Sequence, residues 1–232
     1  MSESTAVTSS APGLPSFTGY AMPSTAEIPP THLEWKPNPQ NAMLLVHDMQ
    51  PFFLRGFHEQ SPVVELERNV GRLLEVFRRL NRPVGYTLQP GSMTKEERGL
   101  VADFWGPGMS RNDDERLPRG ALAPEVDDYV FTKWRYSAFH NSDLSQVIKE
   151  RKITQLVLTG VYANIGVLAT AIDAYSHDIQ VFLVADAIAD FSRDEHSAAM
   201  QYVAQRCGLV LATDQFLDNQ TVSSSASRNT SR

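Results

Sequence analysis

The chain reads as a doubly wound α/β protein with a mostly parallel sheet, and three observations support this. Short apolar or β-branched runs recur at Met43 to Val46, Val84 to Leu88, Tyr129 to Phe131, Gln155 to Thr159, Val181 to Ala185 and Leu209 to Ala212. Runs without polar alternation suit strands buried on both faces, as strands of parallel sheets are. Amphipathic helical patterns separate several of these runs, and strand–helix alternation calls for right-handed crossovers with helices on both faces of the sheet.

Taken in order, residues 1–18 are rich in Ser, Thr, Ala and Pro and read as a disordered tail. The first strand ends at His47 and Asp48. Val70, Leu73, Leu74, Phe77 and Leu80 then repeat at three- and four-residue steps, which gives one apolar helical face. After the second strand, Gln89 to Asp127 holds Gly106-Pro107-Gly108 and several further prolines, too irregular for a simple crossover. A loop of that length reads as a pocket cover, or else as a surface excursion packed for its own sake. Leu144, Val147 and Ile148 form the next helical face, with Ser142 as its expected cap. Ser192 and Glu195 fit a capping box, and Gly208 stands where the helix from about Asp194 is expected to end. No linker interrupts Ala42 to Leu217, so one domain is expected over 19–218, followed by a second disordered tail over 219–232.

Composition narrows the function. The formal net charge is −6 and no Lys/Arg run tracks phosphates, which argues against general nucleic-acid binding; an anionic substrate would need a local basic pocket. The N-terminus lacks the basic and apolar regions of a signal peptide, and no apolar run approaches the roughly 20 residues of a membrane span, so no membrane partner and a cytoplasmic location are expected. The single cysteine, Cys207, falls in an apolar helical stretch and reads as a buried, inert thiol. There is no phosphate-cradling glycine loop and no dinucleotide fingerprint, so no cofactor is expected. The six histidines show no metal-site spacing, no metal is expected, and His47 reads as a packed structural residue. Asp113-Asp114 and Asp127-Asp128 read as solvated loop acids.

Asp48, Lys133 and Gly166 each lie just beyond a strand-like run. The carboxyl ends of parallel strands share one rim, where ligands bind, so an acid, a base and a close backbone approach can meet there. By spacing alone Asp48 fits a loop cap equally well, and Lys133 a surface charge.

The pieces His47-Asp48-Met49-Gln50, Gln89 to Met93, Asp103 to Gly108, Thr132 to Phe139, Gly160 to Val167 and Val184 to Ser192 together resemble the isochorismatase family, over about Tyr20 to Leu217. The likeness is nearest to its stand-alone, phenazine-type hydrolases. It implies a Rossmann-like, three-layer α/β/α fold with a six-stranded sheet and an isochorismatase-like hydrolase domain. Cysteine hydrolases of the wider fold carry their nucleophile at the position occupied here by Gly166. With no thiolate there, covalent amide hydrolysis is excluded, and acid catalysis on a vinyl ether remains. The resemblance implies Asp48 as general acid and Lys133 as its partner. Gln89, Arg98, Tyr162 and Gly166 are implied as contacts to the carboxylates, ring or enolpyruvyl group of a chorismate-derived substrate. Phe53 and Trp105 read as apolar walls, or as ordinary packing. The implied reaction is hydrolysis of 2-amino-2-deoxyisochorismate to trans-2,3-dihydro-3-hydroxyanthranilate and pyruvate, with isochorismate as the alternative substrate and a non-catalytic binding protein as the contrasting class. Phe191 to His196 resembles the siderophore-pathway members, which commonly carry a carrier-protein domain after the hydrolase; this chain ends without one, which favours a free-standing enzyme. A homodimer and a cis peptide bond at Val161-Tyr162 are implied as well.

Overall fold

A computed structural model describes residues 13–15, 17, 19–57 and 62–218 of the chain. Its centre is a six-stranded sheet built from β1 (Ala42–His47), β2 (Val84–Leu88), β3 (Tyr129–Thr132), β4 (Gln155–Val161), β5 (Gln180–Ala189) and β6 (Gly208–Leu211). The spatial order is β3-β2-β1-β4-β5-β6. Every strand pairing is parallel, so the sheet is wholly rather than mostly so. The chain winds outward from β1 to β3, then returns to β4 on the other side of β1. The crevice between the carboxyl ends of β1 and β4 is therefore the topological switch point, where open α/β sheets bind ligands.

Alternation along β1 shows how the sheet is covered. Leu44 and Val46 join one apolar cluster, with α1 (Val63–Arg79) supplying Leu66, Val70, Leu73 and Phe77. Met43 and Leu45 point the other way, into a second cluster formed with α2 (Leu144–Glu150), α3 (Leu168–Ser176) and α4 (Arg193–Arg206). Successive side chains of a strand face opposite sides, so each apolar residue of a central strand meets a helix layer. Burying each large aliphatic side chain contributes about 1.5–3 kcal/mol, offset by the entropy of ordering the chain.

Several boundaries differ from expectation for identifiable reasons. Leu80 caps α1 instead of lying within it. Asp143 is the N-cap of α2, although Ser142 Oγ still accepts from Leu144 N at 3.3 Å. β5 continues through Asp186, whose carboxylate accepts from Thr213 N at 2.7 Å and Oγ1 at 2.8 Å; once partnered, a carboxylate does not end a strand. α4 ends at Arg206 and Gly208 opens β6, so this glycine is not a left-handed cap. A Cβ there would meet Val203 Cγ1 at 2.7 Å and Val181 Cβ at 3.0 Å, and close packing is what requires glycine.

Most of the two expected tails lies outside the described residues. Within the first, however, Phe17 packs at 4.5 Å from the Phe57 ring and 5.0 Å from that of Phe191, and Leu14 reaches the same region. These two apolar side chains are packed although the composition around them suggests a free tail. Among the described residues, no helix is long and apolar enough to cross a membrane.

Candidate active site

All the residues singled out in the sequence, Asp48, Phe53, Gln89, Arg98, Trp105, Lys133, Tyr162 and Gly166, line one cavity at the switch point. Asp48 follows β1, Gln89 follows β2, Lys133 follows β3, and Tyr162 and Gly166 follow β4. The irregular 89–127 stretch lays Arg98, Val101 and Trp105 along the cavity through the helical turns Lys95–Arg98 and Val101–Trp105.

Asp48 has φ +50°, a left-handed conformation that aspartate tolerates better than most residues. Its N–H is held by Thr87 O at 3.2 Å. Asp48 Oδ2 accepts from Lys133 Nζ at 3.0 Å, and Oδ1 from Thr87 Oγ1 at 2.6 Å. Asp48 and Lys133 are only 6% and 3% exposed, so this is a buried ion pair. Burial pushes the Asp48 carboxyl up, but Lys133, His47 and the Thr87 hydrogen bond together outweigh it and hold the group below the usual carboxylate range. Lys133 is drawn below its usual range by burial, against the pull of Asp48. The 3.0 Å contact is that of a carboxylate accepting from an ammonium.

Arg98 is 5% exposed. Its Nε donates to Gly106 O at 2.9 Å and its Nη1 to Gln89 Oε1 at 3.0 Å. Gln89 is held in turn by the buried Gln50, whose Oε1 accepts from Gln89 N at 2.8 Å and whose Nε2 donates to Gln89 O at 3.0 Å. Among the described residues no carboxylate forms an ion pair with Arg98. Burial and the nearby Arg135 lower its pKa, as expected of a cation without a counter-ion. With Lys133 and Arg135 also in the lining and Asp48 the one acid there among the described residues, the cavity is locally cationic in an acidic chain.

The walls are aromatic. The Tyr162 ring lies 4.2 Å from that of Phe191 and 5.9 Å from that of Phe53, and its hydroxyl donates to Phe53 O at 2.8 Å. Trp105 stacks on Phe191 at 5.8 Å and donates to Tyr136 Oη at 2.9 Å. The Val161-Tyr162 peptide bond is cis, as the resemblance implied. Beyond the sequence-derived set, the structure adds Thr87 as a ligand of Asp48 and Leu14, Trp134, Arg135 and Tyr136 as lining. Thr87 is a polar residue within an apolar strand-like run, but its place opposite His47 is a property of the folded sheet. Among the described residues no trio of His, Cys, Asp or Glu is disposed to hold a metal.

The chain is a wholly parallel, doubly wound α/β protein with a buried acid–lysine pair and a cationic, aromatic cavity at the switch point of its sheet. The chain belongs to the isochorismatase family: a family model described as an isochorismatase domain matches residues 42–215. It is 49% identical over 205 residues to the phenazine biosynthesis protein PhzD of Pseudomonas fluorescens, covering 88% of this chain and 98% of that one. It is 45% identical over 205 residues to enterobactin synthase component B of Escherichia coli K12, covering 88% of this chain and 72% of the relative. The fold is shared with a cysteine hydrolase from Pseudomonas syringae pv. phaseolicola 1448A at TM-score 0.73 and 23% identity, over 80% of this chain and 95% of that one.

Proposed function

We propose that the chain is an ether hydrolase that cleaves the enolpyruvyl vinyl ether of 2-amino-2-deoxyisochorismate, giving trans-2,3-dihydro-3-hydroxyanthranilate and pyruvate in a phenazine-type pathway. The observation that carries this reading is a buried Asp48–Lys133 pair facing a cavity where buried Arg98 has no ion-pair partner among the described residues and glycine stands where a nucleophile would. Arg98 receives a substrate carboxylate, which also supplies the counter-ion it lacks. The incoming carboxylates raise the pKa of Asp48 by like-charge repulsion and draw Lys133 towards themselves, so Asp48 takes up a proton. Its carboxylic acid protonates the terminal methylene carbon of the vinyl ether, and the C=C electron pair forms the new C–H bond. The resulting oxocarbenium ion is stabilised by the ionised Asp48 left behind. Water adds to the cation and loses a proton, and the hemiketal collapses to pyruvate and the ring alcohol. No side chain forms a covalent bond to substrate.

The match to the isochorismatase domain favours a second reading, the same chemistry on isochorismate to give 2,3-dihydro-2,3-dihydroxybenzoate. Pyruvate release from each compound, compared as kcat/KM, decides between them, and release from neither overturns the hydrolase reading. Under the acid mechanism kcat falls as pH rises through the Asp48 pKa in the substrate complex, and turnover slows in deuterated water. The enzyme is read as a homodimer. The family resemblance supports this, as do Leu100 and Phe104, 79% and 71% exposed beside the cavity; a monomer in sedimentation at micromolar concentration would contradict it.

A further inference from the structure

His47 stands immediately before the acid, has no solvent exposure, and takes no part in the chemistry above. Its Nδ1 lies 3.0 Å from Val161 O and its Nε2 lies 3.2 Å from Thr170 Oγ1. Burial, and then the Lys133 charge, hold the imidazole down at about 4, so it is neutral at ordinary pH. A neutral ring has one donor and one acceptor, and a carbonyl can only accept. Nδ1 therefore donates to Val161, and Nε2 accepts from Thr170. That hydroxyl accepts in turn from Ala138 N at 2.9 Å, and its proton is shared with Gly166 O, 2.8 Å away. The ring is thereby fixed at both nitrogens, between the end of β4, the first turn of α3 and the segment that follows Lys133.

The atoms between those two nitrogens face Gly166. A Cβ built at Gly166 would lie 2.4 Å from His47 Cε1 and 3.2 Å from each ring nitrogen. The ring cannot swing aside without breaking a buried hydrogen bond at one end or the other.

We infer that His47 is a positioning residue that imposes glycine at position 166, because its imidazole and any side chain there exclude one another. Gly166 is required from behind by the protein's own ring, and the absence of a nucleophile follows from two residues. Installing a thiol at 166 then needs His47 to be cut back as well. The steric claim stands on geometry, and only its activity readout rests on the function proposed above.

The test compares Gly166→Ala in two backgrounds, wild type and His47→Asn. Asparagine keeps a side-chain N–H near the Nδ1 position while removing Cε1 and Nε2. In the wild-type background the added methyl is expected to lower the melting temperature by roughly 4–8 °C, in line with overpacking in a chain of this size. In the His47→Asn background it is expected to lower it by less than half as much. If Gly166→Ala fails to fold, folding of the double variant supports the inference, and its failure to fold overturns it. His47→Ala serves as a second background in which the same difference is read. A Gly166→Ala protein that melts like wild type while losing turnover would show that the glycine serves substrate alone and would overturn the inference, as would an equal cost of the methyl in both backgrounds. Absence of pyruvate release from the wild-type enzyme would sink the proposed reaction and leave the melting comparison intact.

Discussion

Helix α1 and the carboxyl rim of the sheet are equally buried but obey opposite rules. Leu66, Val70, Leu73 and Phe77 on α1 have no solvent exposure, and neither does His47 at the rim, where Asp48, Lys133 and Arg98 are 3–6% exposed. On α1, leaving water is itself favourable, and contacts need only be dense. At the rim it is costly, and each polar group persists through a named partner: Lys133 and Thr87 for Asp48, Val161 and Thr170 for His47, Gln89 and Gly106 for Arg98. What distinguishes the site from the core is therefore not burial but the incompleteness of its charge pairing. Arg98 is where that incompleteness is plainest.

Removing the acidic proton sharpens the contrast most. Asp48→Asn keeps the side chain's shape and an acceptor for Thr87, and it is expected to lower kcat by about 10²- to 10⁴-fold while the fold survives. Steady-state pyruvate release checks this, and retention of more than about a tenth of kcat would rule Asp48 out as the acid. Phe77→Ala is the opposite experiment. It removes a ring stacked at 5.7 Å on Phe216 and is expected to cost about 3–5 kcal/mol in denaturant unfolding, with kcat of the folded enzyme unchanged.

Lys133→Met tests whether rim burial is sustained by pairing. Without the cation, burial prevails and the Asp48 pKa moves above the usual carboxylate range, reversing the wild-type direction. In the wild-type enzyme the depressed pKa contributes stability that is present above about pH 4 and lost as pH falls through the folded-state value. In the variant the folded state binds a proton that the unfolded state does not, so stability falls as pH rises. Its loss relative to wild type is expected to be larger at pH 8 than at pH 5. At both it should stay below the roughly 3–5 kcal/mol of an unrelieved buried charge, because Asp48 relieves it by protonation. Unfolding curves across that range, parallel for the two proteins, would contradict the pairing argument.

The same contrast separates what the sequence discloses from what it does not. The apolar runs of β1 and β4 and the period of α1 are local patterns, and they locate the sheet, its helix layers and the rim. Eight of the residues that line the cavity are legible because each follows a strand or matches a family motif, whereas Leu14, Trp134, Arg135 and Tyr136 are not. Contacts across the fold were not legible. Thr87 reaching Asp48, Tyr162 bonding Phe53 O, and Phe17 lying against Phe57 and Phe191 join positions whose proximity depends on the folded sheet. Gly208 shows the same limit: its place near a helix end suggests a cap, while Val203 and Val181 supply the actual reason.

The smallest expected effect belongs to the single cysteine. Cys207 is 5% exposed in the second apolar cluster, and burial pushes its thiol up to about 11. Thiolate is the reactive form of cysteine, so at neutral pH almost none is available, and what there is lies out of reach of reagents. It is not among the residues that line the switch-point cavity. Cys207→Ser is therefore expected to leave kcat and KM within experimental error of wild type. It should cost about 1 kcal/mol of stability, since a hydroxyl replaces a less polar thiol in apolar surroundings. Iodoacetamide at neutral pH should modify the native protein slowly and without loss of pyruvate release. Rapid inactivation that tracks labelling of this one thiol would mean that a region built like α1 takes part in catalysis, and the division between a passive core and a reactive rim would fail.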